Sequence, residues 1–173
     1  MTAARDAAAA LENSNASEDV KQSATALVAQ GKAAINKKDW AAAVALFRKA
    51  TQQDPGSISA WFGIGYCADE FQGEAGLIDE GVAAYRRVIE IDPNHAMAHY
   101  NLGVLLEKKR QDVDGAEKAY RAAIAADPGC AAAQFKLGAL LNTRGIQLER
   151  AEGNRNEVAA LYTRSARSCG RST

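Results

Sequence analysis

The 173-residue sequence predicts an all-α fold in which similar helical hairpins follow one another along the chain. Alanine is the commonest residue, and only 3 prolines are present, a composition that favours helix nearly everywhere. Pro55, Pro93 and Pro128 each follow an aspartate and are separated by 38 and 35 residues, a spacing that indicates a repeat. Proline lacks the backbone N–H that a helix needs, so each pair is predicted to end one helix and begin a turn.

Residues 1–23 precede the repeats and are expected to be partly helical or disordered. Ala3–Glu12 is predicted to form a short helix, and Asn13–Ser17 is predicted to interrupt it. Ser17 would then cap the helix that follows, because its hydroxyl can accept a bond from a free backbone N–H.

The segment before each proline is predicted to be the second helix of a hairpin. A small residue, an aromatic four residues later and a small or branched residue three after that lie on one helical face. The aromatic is expected to fill the space beside its small neighbours. The three sets are Ala43, Phe47 and Ala50; Gly81, Tyr85 and Val88; and Ala116, Tyr120 and Ala123.

The segment after each proline is predicted to be the first helix of the next hairpin. A glycine recurs at one phase of this helix, at Gly65, Gly103 and Gly138, with a weaker counterpart at Gly31. A glycine inside a helix costs roughly 1 kcal/mol relative to alanine. Its recurrence therefore predicts a close helix crossing that leaves no room for a side chain.

These residues resemble the tetratricopeptide repeat, a 34-residue helix-turn-helix unit with Leu-Gly in its first helix, Ala and aromatic positions in its second, and a closing Pro. The resemblance covers residues 24–173 and implies a superhelical α-solenoid of about four repeats, at 24–57, 58–95, 96–130 and 131–170. Extra residues are placed in the turns near 72–79 and 110–114. The last repeat is degenerate, with about eight extra residues around Gly145–Asn154, and its first helix is expected to overrun through Gln147–Glu152 until Gly153 stops it. A second helix is expected at Asn156–Ser168, where Val158, Tyr162 and Ser165 would take the helix-face positions.

The resemblance implies that the first helices line a concave groove that binds another protein. The positions that face the groove in this family hold an apolar and aromatic stripe, one basic residue and an acidic edge. They are Lys32, Phe62, Tyr66, Asp69, Glu70, Met97, Tyr100, Val104, Glu107 and Phe135. The alternative is that these side chains only pack between neighbouring repeats, or are covered by residues 3–12.

We interpret the chain as a non-catalytic scaffold or adaptor that binds a peptide or helical segment of a partner protein. A second hypothesis is a structural subunit, or a repeat fragment of a larger complex or of an enzyme such as a glycosyltransferase. That hypothesis uses the convex face or the extension of repeat four as the contact surface.

Binding of chaperone carboxylate tails is disfavoured. The clamp that the family uses for such tails consists of Lys, Asn, Asn, Lys and Arg. Counted from repeat one, the matching positions hold Val28, Lys32, Gly63, Met97 and Asn101. Counted from repeat two, they hold Phe62, Tyr66, Asn101, Ala132 and Lys136.

The charges disfavour nucleic acid as a partner, because 21 basic and 21 acidic residues leave no net positive field. The balance hides an acidic start, with one base and four acids in residues 1–20, and a basic end, with six arginines and three acids in residues 144–173.

No apolar run of about 18 residues predicts a membrane span. The dispersed Cys67, Cys130 and Cys169 are expected to be reduced thiols of a cytoplasmic protein.

Two patterns that could indicate chemistry are discounted. Gly63–Ala68 fits a dinucleotide-binding fingerprint, but it lies within a predicted helix with no strand before it. His95 and His99 have a spacing that suits a metal, but no third ligand accompanies them. We therefore predict no catalytic residue, metal or cofactor.

Overall fold

The structure is a computed structural model that describes residues 2–70, 76–108 and 111–169, with side chains in 19–70, 76–108, 111–147, 149–153 and 155. All its regular elements in these ranges are helices, which confirms the all-α repeat fold. The helices are α1 (Thr2–Asn36), α2 (Trp40–Gln53), α3 (Ile58–Glu70), α4 (Leu77–Ile91), α5 (Ala96–Lys108), α6 (Val113–Ala126) and α7 (Ala131–Cys169).

The three Asp-Pro turns have the same geometry. Asp54, Asp92 and Asp127 each end a helix in an extended backbone conformation, which is the one that a following proline favours. Each aspartate side chain accepts a bond from the backbone N–H two residues later, at distances of 3.0, 3.1 and 2.9 Å. The predicted helix ends are thereby confirmed.

A polar side chain six residues after each proline closes the same turn. Nε1 of Trp61, Nε2 of His99 and Nε2 of Gln134 donate to the proline carbonyl oxygens at 2.9, 3.0 and 2.7 Å. Three unrelated side chains therefore bond the equivalent backbone carbonyl oxygen in the three turns. This contact links the proline of each hairpin to the first helix of the next.

The glycines of the first helices lie against aromatic rings of the second helices. A Cβ atom on Gly65 would lie 2.6 Å from the Tyr85 ring, and one on Gly103 would lie 2.6 Å from the Tyr120 ring. Tyr85 and Tyr120 are 1% and 0% exposed, so neither ring has space to move aside. The close crossing predicted from the glycines is confirmed at Gly31, Gly65 and Gly103, where the ring from the partner helix occupies the place of a side chain, and it is wrong at Gly138.

Consecutive helices pack together, and the first helices also contact one another. α1 contacts α3 and α3 contacts α5, so these three helices form one layer. α2 packs between α1 and α3, α4 packs between α3 and α5, and α6 packs between α5 and α7. The core follows this stack, and its largest fully buried side chains are Tyr85, Tyr120, Phe47, Ile64, Leu77 and Leu105.

Both ends of the chain differ from the sequence-based expectation. The break expected at Asn13–Ser17 is wrong, because α1 continues through these residues. The domain boundary placed at residue 23 falls inside this helix and stays a prediction. No helix within the described ranges is long and apolar enough to cross a membrane.

The hairpin expected in repeat four is also wrong, because α7 runs unbroken through Gly145 and Gly153 to Cys169. A Cβ atom on either glycine would meet no atom within 4 Å, so no other helix packs against α7 at these positions. A break in α7 would therefore gain no packing contact there. Gly138, the repeat glycine of this unit, has the same open surroundings and no aromatic ring beside it. The side chains of Val158, Tyr162 and Ser165 lie outside the described residues.

We expect Gly65→Ala to destabilise the fold, because its methyl group would overlap the buried Tyr85 ring. Overpacking of this kind costs about 1–3 kcal/mol. Gly138→Ala is the matched control at the same repeat position, where the space is open, and it should stabilise the helix by up to about 1 kcal/mol. Urea unfolding followed by circular dichroism measures both, and equal effects would contradict the ring-on-glycine packing.

Candidate functional site

Two adjoining cavities follow the layer formed by the first helices. The cavity between α1 and α3 has a volume of about 250 Å³ and includes Thr25, Val28 and Lys32 in its lining. The next has a volume of about 260 Å³ and spans α1, α3 and α5; its lining is Lys32, Ile58, Ser59, Phe62, His95 and Met97. Since Lys32 and Ser59 line both, we treat them as one surface and name it the inner groove. It brings together three predicted site residues, Lys32, Phe62 and Met97.

Three predicted groove residues are largely taken up by packing within the stack. The Phe62 ring meets the Tyr85 ring edge-on, with centroids 5.4 Å apart, and lies 5.5 Å from the His95 ring. The Tyr100 ring is 6.0 Å from the Tyr120 ring, and Val104 is only 6% exposed. These contacts match the alternative that such side chains pack within the repeats, although Phe62 also lines the inner groove.

Three other predicted residues keep large exposed surfaces. Tyr66 is 39% exposed beside Trp40, with ring centroids 6.4 Å apart, and Met97 is 49% exposed. Phe135 is 76% exposed on α7 and lines neither of the two cavities of the inner groove. An exposed aromatic side chain offers a large apolar area at little entropic cost, so Tyr66 and Phe135 are suited to contacts with another molecule.

The predicted acidic edge is weaker than its three carboxylates suggested. Asp69 is half-buried and Glu70 is exposed at the end of α3. Glu107 instead accepts hydrogen bonds from the Tyr120 hydroxyl at 2.6 Å and from Nζ of Lys136 at 3.1 Å. Its charge is therefore already paired, and Asp69 and Glu70 supply the remaining negative charge of this edge.

The pKa of Glu107 reflects these partners. Burial acts to raise the pKa, but the hydrogen bonds from Tyr120 and Lys136 and the charges of Lys136 and Lys108 outweigh it, so the pKa lies below its ordinary value. Sequence reasoning missed this arrangement, because Glu107 and Lys136 are 29 residues apart on helices of different repeats.

The residues of the discounted patterns have packing contacts in the structure. Nδ1 of His95 accepts from the Ala98 N–H at 3.2 Å, and His99 bonds the Pro93 carbonyl. Gly63, in the fingerprint-like segment, lies inside α3 under the Phe47 ring. Burial raises the pKa of the Cys67 thiol to about 11, which disfavours the reactive thiolate at neutral pH.

Comparison with known proteins agrees with the fold. A family profile described as "Tetratricopeptide repeat" matches residues 2–58, 72–128 and 107–164. The RNA polymerase-associated protein CTR9 of Caenorhabditis elegans is 35% identical over 81 residues, which are 46% of this chain and 7% of that protein. The chain thus spans a small part of this curated relative.

Solved structures show the same architecture at low sequence identity. One is titled "First TPR of Spaghetti (RPAP3) bound to HSP90 peptide SRMEEVD", with a TM-score of 0.66, 14% identity and coverage of 72% of this chain and 95% of that chain. Another is YrrB, described as a TPR protein with an unusual peptide-binding site, with a TM-score of 0.60, 24% identity and coverage of 66% and 56%. Both similarities concern the fold.

We expect Glu107→Gln to lower the stability at neutral pH. A carboxylate whose pKa is depressed by folding stabilises the protein fully above its unfolded pKa, about 4.3, and this stabilisation is lost as the pH falls through the folded value. The difference in unfolding midpoint between the two proteins should therefore shrink at acidic pH. Glu149→Gln, on an exposed part of α7, is the control, and a pH-independent difference at Glu107 would contradict this account.

Proposed function

The chain belongs to the tetratricopeptide repeat family, and we propose that it is a non-catalytic scaffold or adaptor that binds a segment of a partner protein in the inner groove. Proteins of this family mediate contacts between proteins. The observation that carries the proposal is the inner groove itself, in which exposed apolar surface lies on one face of adjacent first helices together with Lys32, which makes no ion pair with any described residue.

The chemistry of the inner groove defines the segment that it would bind. Phe62, Ile58 and Met97 offer an apolar surface, and Tyr66 extends it along α3. Lys32 would attract an acidic group of the ligand. Asp69 and Glu70 lie further along α3 and would attract a basic group, so we propose a mainly apolar segment with charges of opposite sign at its two ends.

Chaperone carboxylate tails remain disfavoured in this proposal. The neighbour solved with an HSP90 peptide shares the fold with this chain at 14% identity, a level that transfers no binding residue. The positions of the clamp hold Val28, Gly63 and Met97 where the clamp requires side chains that bind a carboxylate. Nucleic acid is disfavoured as a partner because basic and acidic residues balance. A cytoplasmic location stays part of the proposal.

A second candidate function is a structural role within a larger assembly or a longer protein. Two observations favour it: the matched region is 7% of the nematode relative, and Phe135 and Gly138 leave the α7 end of the stack open. Under this alternative a further helix, from a partner or from a longer chain, would cover α7 and leave the inner groove without a ligand.

We expect the double substitution Tyr66→Ala with Met97→Ala to lower the affinity for a groove ligand by at least about tenfold, because buried anchor residues dominate binding energy. The ligand is selected from a library of displayed peptides on the immobilised chain, and its affinity is measured by calorimetry.

Lys49→Ala, on the exposed side of α2, is the control and should leave the affinity unchanged. Circular dichroism verifies that both variants are folded. Selected peptides that bind the double variant as tightly as the original chain would refute the groove as the binding site and favour the structural role.

A further inference from the structure

The first two hairpins are joined on their outer side by an ion pair. Arg48 of α2 meets Glu80 of α4, with Nε donating to Oε1 at 2.9 Å and a second bond from Nη2 to Oε2. Both side chains are half-buried, at 38% and 32% exposure. Two parallel bonds between a guanidinium and a carboxylate hold this contact in a defined geometry.

The same contact cannot form between the second and third hairpins. Arg86 follows Tyr85 as Arg48 follows Phe47, so the arginine is kept. The position that matches Glu80, five residues before the aromatic of the next hairpin, is Gly115. Since glycine has no carboxylate, Arg86 has no ion pair among the described residues.

A cavity of about 460 Å³ lies where the ion pair is missing. Its floor is apolar and is formed by Ile89 of α4, Leu102 and Leu106 of α5, and Ala119 of α6. Arg86 and Lys118 stand at its rim. We name this surface the outer groove, because it lies on the side of α5 away from Met97 and the inner groove.

The rim of the outer groove has a small excess of positive charge: with Arg87, which is bonded to Glu90, its cations outnumber its carboxylates by one. Glu90 is already bonded to Arg87 at 2.8 Å. Asp112 caps α6 by accepting the Gly115 N–H at 2.9 Å and keeps its negative charge at the end of the groove formed by this cap. Lys118, like Arg86, makes no ion pair within the described ranges, so two cations face solvent beside an apolar floor.

We propose that the outer groove is a second docking site, separate from the inner groove, for a segment of another protein that combines an aliphatic side chain with an acidic one. The aliphatic side chain would pack against Leu102 and Leu106. The carboxylate would bind Arg86, as Glu80 binds Arg48 one repeat earlier. The volume of about 460 Å³ is in the range of ligand pockets and well above the need of one leucine side chain.

The test uses the intact chain and two synthetic alanine-based helical peptides. Each has one leucine, and four residues away one peptide has glutamate and the other glutamine. This spacing places both side chains on one face of the helix. NMR spectra of the Leu102 and Leu106 methyl groups report binding, and we expect the glutamate peptide to bind about tenfold more tightly, the size of a charge-assisted contact.

Gly115→Glu supplies the missing carboxylate from the chain itself. The new carboxylate should pair with Arg86 and lower the affinity for the glutamate peptide by at least about tenfold. Gly115→Ala is the matched control. In both variants the new Cβ meets Asp112, 2.4 Å from its Oδ2, but only the first adds an acid. We expect Gly115→Ala to keep the affinity within about twofold of the original chain.

Several outcomes would overturn this proposal. They are equal binding of the two peptides, no methyl shift at about 1 mM peptide, and equal losses in Gly115→Glu and Gly115→Ala. Self-association in gel filtration that Arg86→Glu removes would identify the occupant as a second copy instead. Tyr66→Ala with Met97→Ala should leave binding to the outer groove unchanged. A negative result for one groove therefore does not contradict the proposal for the other.

Discussion

The packing of an aromatic ring against a glycine is the contact on which the stack depends. Phe47 lies against both Gly31 of its own hairpin and Gly63 of the next, so one buried ring joins three helices. Tyr85 and Tyr120 repeat the contact within the second and third hairpins. Because the ring takes the place of a side chain, the backbones approach closely and the spacing of the two helices in a hairpin is set by the width of an aromatic ring.

This contact also determines which residues are left for function. Phe62 and Tyr100 pack against these rings, so among the predicted site residues Lys32 and Met97 are the exposed ones that line the inner groove, and Tyr66 adjoins it on α3. On the opposite side, the first helix packs between neighbouring second helices, and the Arg48–Glu80 ion pair bridges α2 and α4. The two grooves thus result from the same packing scheme. They differ in the polar residues at their rims.

The hairpins could be predicted from the sequence because their signals are local. Asp-Pro pairs end helices through backbone geometry. The spacing of glycine and aromatic residues can be found in the sequence without knowing which helix packs against them. The continuous α7 could not be predicted in this way, because a helix end at Gly153 would require another helix to pack across it, and no local residue forbids helix there. Likewise, the pairing of Glu107 with Lys136 depends on how two hairpins lie against each other.

The turn contacts of Trp61, His99 and Gln134 have a consequence for how such chains diverge. An alignment scores these three residues as dissimilar, yet each places one N–H at the same carbonyl oxygen. The three repeats therefore share a hydrogen-bond donor at a fixed distance from the backbone, while the size and shape of the side chain differ. A repeat built on this rule can alter its surface chemistry one hairpin at a time without redesigning its backbone.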